Sequence, residues 1–328
     1  MGQDSNIEWT HHTFNAWRGC QKVSAGCQFC YAETLSKRNP ATLGEWGPNG
    51  KRAMAAESYW KQPLKWNRDA EAAGERRRVF CASLADVFED RPELHEPRAR
   101  LFDLIRQTPH LDWLLLTKRP ENIMPLIHAA LIDCIENPAI KHDHATGRWL
   151  SRWLDADAPA NVWLGTSVEN QEAADERIPH LLQVPAVVRF LSAEPLLGPV
   201  DLTGIPFNSG KYNVLLGRFV PRGENDYLWQ GIDWVIVGGE SGPNARPMRP
   251  TWARSLRDQC QAAGVAFHFK QWGEHVSAWQ VPQEQMCDVA GHSATVLSAN
   301  GVQTIVYKVG KKAAGRSLDG RKWNEFPR

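Results

Sequence analysis

The chain has 328 residues, 42% of them hydrophobic and 23% charged, with a formal net charge of +1. That balance is ordinary for a soluble globular protein, and the length allows one large α/β domain or two smaller ones. It offers no global basic field to draw in a polyanion, and no apolar run approaches the length of a membrane span. Seven cysteines is an odd number, and the polar opening MGQDSNIEW carries no secretory signal. A reducing cytoplasm is expected, where clustered cysteines serve more often as ligands than as disulfides. Fifteen tryptophans are unusually many; most should pack in the core or at its rim, with a minority available to stack on bases or an adenine ring.

In chain order, a short strand fits residues 7–10. The stretch WRGCQKVSAGCQFCY follows, holding Cys20, Cys27 and Cys30 within eleven residues, with six residues between the first pair and two between the second. Three thiolates this close can ligate a metal or an iron–sulfur cluster. Four protein ligands would close a site; three leave one coordination position open to a substrate or cofactor. Gly19 and Gly26 each precede a cysteine and let the backbone bend. Spacing alone leaves other readings open: a structural zinc site with His11 or His12 as fourth ligand, a disulfide plus a spare thiol, or small buried residues with no shared role.

Residues 31–38 start a helix that Asn39-Pro40 ends. Residues 40–78 read as an insertion with little regular structure until 69–77. A rhythm then begins. Strands are predicted at 79–83, 111–117, 161–166, 186–192, 232–237 and 265–270. Helices are predicted at 93–107, 120–131, 171–182 and 251–263, the last capped by Thr251. Residues 133–159 read as irregular and 196–230 as a Gly/Pro-rich insertion. Strands apolar on both faces that alternate with helices argue for parallel pairing. The expected fold is α/β, a partial (β/α)6-type barrel over residues 1–273 with those three insertions. Polar residues follow the strands: Ser83 and Asp86, Thr117 and Lys118, Thr166 and Glu169, Ser192 and Glu194, Glu240 and Ser241, Lys270 and Gln271. Carboxyl ends of such strands build active sites, although each residue taken singly is equally a helix cap or loop solvation.

Residues 274–328 form a separate extension. Asn300-Gly301 predicts a hairpin turn between 295–297 and 302–307. Beyond it, Lys311, Lys312, Arg316, Arg321 and Lys322, with Trp323, form a basic segment suited to phosphates and a base, or a solvated tail. Trp60-Lys61, Lys65-Trp66 and the Arg76-Arg77-Arg78 run add weaker signals of nucleic-acid contact.

The motif N-x-W-x-G-C-x6-C-x2-C-Y-A, the LLTKRP segment, the GGESG loop and the FHFKQWG strand resemble an uncharacterised phage and bacterial family with three cysteines. The resemblance covers nearly the whole chain, including the GRSLDGR tail. More widely, the chain resembles radical S-adenosylmethionine enzymes, whose cysteines are spaced C-x3-C-x-aromatic-C. Cys27-Gln28-Phe29-Cys30 matches the second half, while the first spacing is six residues instead of three. A G-G-E in those enzymes follows the second strand and binds the methionine amino group. Here Gly238-Gly239-Glu240 follows a much later strand, so Ser83 and Asp86 are the positional candidates. The spore photoproduct lyases carry C-T-S-D on strand two, echoed by Cys81-Ala82-Ser83-Leu84-Ala85-Asp86, and a T-K echoed by Thr117-Lys118.

The resemblance implies a [4Fe–4S] cluster on Cys20, Cys27 and Cys30, with S-adenosylmethionine on its open iron and a 5′-deoxyadenosyl radical as the product of reductive cleavage. It implies a cofactor cradle of Phe29 and Tyr31, with Ser83, Asp86, Thr166, Glu169, Ser192, Glu194, Gly238, Gly239 and Glu240. Lys118 and Arg189 are candidates to pair with the cofactor carboxylate, Lys118 also as a catalytic group; Arg189 is alternatively held by Glu169 or Glu194. Cys81 is either a hydrogen donor or a small core residue. The expected substrate is nucleic acid, DNA by preference, repaired or modified at a base, with a flavodoxin or ferredoxin as electron donor. The alternative is a non-enzymatic nucleic-acid-binding protein with a structural zinc or iron–sulfur site.

Overall fold

A computed structural model describes residues 2–136, 144–207, 210–217, 230–281, 291–299 and 302–327. Seven strands run parallel: β1 (His12–Thr13), β2 (Arg77–Cys81), β3 (Leu111–Thr117), β4 (Val162–Ser167), β5 (Val188–Ala193), β6 (Trp234–Gly238) and β7 (Ala266–Gln271). This is the α/β, half-barrel class expected from the alternation of apolar strands and helices. The chain divides into two compact units. One comprises Met1–Val23, Ala32–Thr166 and His180–Arg189; the other comprises Ser24–Tyr31, Ser167–Pro179 and Phe190–Arg328.

In the first unit the strand order is β1-β2-β3-β4. The runs Val79–Cys81 and Trp113–Leu115 are buried on both faces, as a parallel sheet covered on two sides requires. The longer helices among the described residues of this unit are α1 (Gln62–Ala73), α2 (His95–Arg106), α3 (Ile123–Glu136) and α4 (His144–Leu154). Two of them correct the sequence reading. Helix α1 begins at Gln62, because Pro63 occupies its first turn, where no amide partner is needed. Trp66 and Ala70 turn inward, and Gly74 ends the helix with a left-handed φ of 64°. Helix α4 forms within the supposedly irregular 133–159 stretch. Trp153 packs edge-on against Phe102 at 6.0 Å, and Thr146 hydrogen-bonds Asp103. Tertiary packing there overrides the poor propensity of HATGRW. The first strand lies at His12–Thr13 rather than at 7–10.

His12 is buried and stacked on Trp66 at 4.4 Å, and its Nδ1 accepts the Asp4 amide. Burial, then the neighbouring charges of His11 and Arg77, hold its pKa down at about 4, against an ordinary 6.5. Unfolded chains therefore take up this proton at a higher pH than folded ones. Stability is expected to fall as pH drops from about 6.5 to about 4 and to level off below that. His12→Phe, which keeps a ring on Trp66, should flatten the decline in urea midpoint over that window. Parallel declines for both proteins would contradict this assignment.

In the second unit β5, β6 and β7 are parallel neighbours in that order, and α5 (Pro250–Ala263) packs on β6 and β7. Arg249, not Thr251, stands at the N-cap of α5, and Pro250 takes the first helical turn. The helix Gln171–Leu182 lies where expected. The extension carries a three-stranded antiparallel sheet: β8 (His275–Ser277) pairs with β10 (Val302–Lys308), which pairs with β9 (Ala294–Ala299). The hairpin is thus larger than expected by strand β8; its Asn300-Gly301 turn lies outside the described residues. The chain then runs along the edge of β7, where Phe269 N–H donates to the Trp323 carbonyl and Glu325 N–H to the Phe267 carbonyl. Among the described residues no helix is long and apolar enough to cross a membrane.

Candidate functional site

At the carboxyl ends of β2 and β3, Asp86 is the hub of the first unit. It is buried, and it accepts from Thr117 Oγ1 at 2.6 Å, from the amides of Phe88 and Lys118 at 3.0 Å, and from Arg119 Nη1 at 2.9 Å. Arg119 reaches on from Asp86 to the Gln21 carbonyl at 2.9 Å and lies 3.9 Å from Cys20 Sγ. A buried cation needs a partner, and this one links strand β3 to the first cysteine. Burial opposes the charge on Arg119, yet Asp86, Cys20 and Glu89 together raise its pKa above the ordinary value. Burial, then Asp86, push the Cys20 thiol up to about 12, while Arg119 pulls it the other way. The Cys20 backbone is fixed as well: Gly19 N–H donates to the Leu84 carbonyl, and the Cys20 carbonyl accepts from Gly47. Gly19 has φ 107°, and a Cβ there would press on the Glu45 carbonyl.

Ser83, expected beside Asp86 in the cofactor cradle, exchanges hydrogen bonds with Asn15, whose Oδ1 also accepts the Leu84 amide at 2.7 Å. Thr166 Oγ1 donates to the Thr117 carbonyl. Cys81 is fully buried on β2, and burial pushes its thiol far up. Arg189 donates to the carbonyls of Val184 and Ala186.

The second unit contains the loop Ser24–Tyr31, and with it Cys27, Phe29, Cys30 and Tyr31. Ser24 Oγ lies 3.8 Å from Cys27 Sγ and donates to Glu169 Oε1 at 3.0 Å. Glu169 is buried and paired with Arg177 at 2.9 Å. A Cβ on Gly26 would overlap the Glu169 side chain, so a larger residue there would displace the carboxylate that Arg177 and Ser24 hold. Beyond β5, the Glu194 carboxylate accepts Lys270 Nζ at 2.8 Å and Gln271 Nε2 at 3.1 Å. Ser192 is buried on the same strand, and a Cβ on Gly238 would crowd Glu194. Glu240 is buried and paired with Arg246 at 2.7 Å.

All four carboxylates singled out by position are therefore held by cations: Asp86 by Arg119, Glu169 by Arg177, Glu194 by Lys270, Glu240 by Arg246. Of these cations only Lys270 had been singled out by its place after a strand. Long-range ion pairing leaves no local mark in a sequence; a buried acid on an apolar strand end is the one clue that a cation must come from elsewhere.

In the tail, Trp323 is half-buried, edge-on to Phe267 at 5.8 Å and faced by Arg321 at 4.1 Å and Arg257 at 5.6 Å. Arg316 contacts Asn324 and His268. Lys311, Lys312, Arg321 and Lys322 are exposed.

The six described cysteines, Cys20, Cys27, Cys30, Cys81, Cys134 and Cys260, are free thiols. Among the described residues no group of three or more His, Cys, Asp or Glu side chains is gathered at metal-ligating distance. His11 Nδ1 accepts the Arg78 amide at 2.8 Å, and His12 is enclosed against Trp66.

Residues 4–327 match the family described as a protein of unknown function, DUF5131, and the chain belongs to that family. No curated protein matches the chain. Among solved structures the chain is similar to a cysteine-to-serine variant of spore photoproduct lyase, at 11% identity and a TM-score of 0.41, covering 94% of this chain and 71% of that one. It is similar also to spore photoproduct lyase complexed with dinucleoside spore photoproduct, at 9% identity and a TM-score of 0.40 with the same coverage.

Proposed function

We propose that the chain is a radical S-adenosylmethionine enzyme acting on nucleic acid, with Cys20, Cys27 and Cys30 as ligands of a [4Fe–4S] cluster. The donor set carries this reading: three soft sulfur ligands in eleven residues, an aromatic residue between the last two, and no fourth cysteine in the loop. Its chemistry fits such a cluster. Zinc would need a fourth ligand, and of the two histidines considered, His12 is committed to the Trp66 stack. When bound, the cluster and S-adenosylmethionine supply a carbon-centred radical that removes a hydrogen atom from the substrate.

The protein's own part is to bind, orient and exclude water. Arg119 sets a positive charge beside Cys20, which favours the thiolate over the thiol. Asp86 orients that guanidinium. Lys118, next in sequence, would pair with the cofactor carboxylate, and Phe29 and Tyr31 would offer ring surfaces for the adenine. Thr166 in the first unit, and Ser192 with the Glu194–Lys270 pair in the second, are assigned to the cofactor by their places at strand ends. Cys81 would give the hydrogen atom of its S–H to the substrate radical, leaving a thiyl radical that an electron from the donor and a proton would return to the thiol. The exposed Lys311, Lys312, Arg321 and Lys322 contact the nucleic-acid backbone, and a flavodoxin or ferredoxin supplies the electron.

The test is anaerobic reconstitution with iron and sulfide, followed by reductant and S-adenosylmethionine, with and without ultraviolet-irradiated DNA. About four irons per chain are expected, with 5′-deoxyadenosine formed and the DNA nucleosides altered. Colourless protein holding one zinc would overturn the reading in favour of a binding protein. Cys81→Ala should leave the iron content unchanged but change the nucleoside products; unchanged products would remove Cys81 from the mechanism.

A further inference from the structure

The G-G-E-S-G loop and the W-G that follows β7 lie against one another in the second unit. A Cβ on Gly239 would overlap the Trp272 carbonyl, and one on Gly273 would overlap the Glu240 carbonyl. Gly273 also has φ 82°. Gly239 N–H donates to the Gln271 carbonyl at 2.9 Å, and Glu274 N–H to the Glu240 carbonyl at 3.0 Å. Both glycines are thus required by a backbone crossing that fixes the position of Glu240.

Glu240 then holds Arg246 on three bonds. Arg246 Nε and its own backbone N–H both donate to Oε2 at 2.8 Å, and Nη2 donates to Oε1 at 2.7 Å. A fork locked in this way has one orientation only. Its outer edge meets the cysteine loop. Nη2 donates to the Ala25 carbonyl at 2.9 Å and Nη1 to Gln28 Oε1 at 3.1 Å, while Cζ lies 5.2 Å from the centre of the Phe29 ring. Four groups spanning residues 25–29 and 240 are thereby held by a single side chain, around Cys27 and just before Cys30.

We propose that Arg246 is the positioning residue of the cysteine loop, and that Glu240 serves the loop through Arg246 rather than binding the cofactor. The effect on iron rests on the reading of that loop as cluster-binding; the effect on loop order does not. Lysine cannot replace this arginine, because a point charge satisfies Glu240 but cannot span Ala25, Gln28 and Phe29 at once.

Two measurements on the full chain test the proposal. In metal-free protein, hydrogen exchange at the Cys27 and Gln28 amides, which bond back to Ser24 and Ala25, should speed about tenfold in Arg246→Gln. Exchange in β5 and β6 should be unchanged. Arg246→Lys keeps the charge beside buried Glu240, so it should fold normally and still lie nearer to Arg246→Gln than to wild type. In reconstituted protein, both variants should lose at least half of their iron to a mild chelator under conditions where wild type keeps it. Loop exchange at the wild-type rate in Arg246→Lys would overturn the proposal, even if Arg246→Gln proved too unstable to read. Wild-type protein that takes up no iron would overturn the cluster reading instead, and the exchange comparison alone would then decide the role of Arg246.

Discussion

Replacing Cys27 with alanine is expected to abolish iron retention and S-adenosylmethionine cleavage together, while the fold survives. If the proposed cluster is bound, the two remaining thiols would be too few to hold it. Cys81 and Cys260 are buried in their own elements and cannot move in as substitutes without unpacking them. Ser24 is the side chain seen at 3.8 Å from Cys27 Sγ, and a neutral hydroxyl is a poor ligand for iron beside thiolates. Cys27 itself is half-buried, so its truncation should cost no more than about 1 kcal/mol. Iron per chain, visible absorbance and 5′-deoxyadenosine yield should all fall to background, with the urea midpoint close to wild type. Full iron content in Cys27→Ala would remove this cysteine from the ligand set.

Asp86→Ala is expected to be among the most destabilising single changes in the first unit. It removes the acceptor for Thr117, for two backbone amides and for Arg119. The guanidinium is left in a buried site with the Gln21 carbonyl and a thiol that is ordinarily neutral. Stranding one member of a buried ion pair costs about 3–5 kcal/mol. The pairing of Asp86 with Arg119→Met gives the cycle that separates this penalty from simple loss of contacts: the double variant should recover much of the stability lost by Asp86→Ala alone. Urea unfolding of the four proteins measures it. A shift below about 0.5 kcal/mol for Asp86→Ala, the scale of an ordinary surface change, would show that Asp86 is not the hub of that strand end.

The apolar strands were legible because burial on both faces writes itself as an unbroken run. LDWLLLT at 111–117 matches β3 in both bounds, and IDWVIV predicts β6 to within two residues. Helix 171–182 was legible from its own periodicity. Helix α1 was half hidden because Pro63 reads as a breaker unless the helix starts beside it, and α4 because its stability lies in Trp153 and Thr146 meeting α2. The acids at the strand ends were legible by position, and the cations that hold them were much less so. Nothing near Pro120 marks Arg119 as reaching residue 20, and nothing in PNARPM marks Arg246 as the partner of Ala25. In the tail the charges read as a basic segment for phosphates or a solvated end, and its lysines are exposed, while the packing of Trp323 against Phe267 beside β7 left no mark in the sequence.

The span of chain between the cysteine loop and its anchors has a consequence for biogenesis. Ser24 meets Glu169 across 145 positions, and Ala25 meets Arg246 across 221. During ribosomal synthesis, at about 5–20 residues per second, the loop therefore waits for many seconds before either tether exists. Closing loops of that length is entropically uphill until the distant strands have assembled. The loop acquires its final shape only after the segment that carries Arg246 has been made, so any ion these thiols capture earlier meets them untethered.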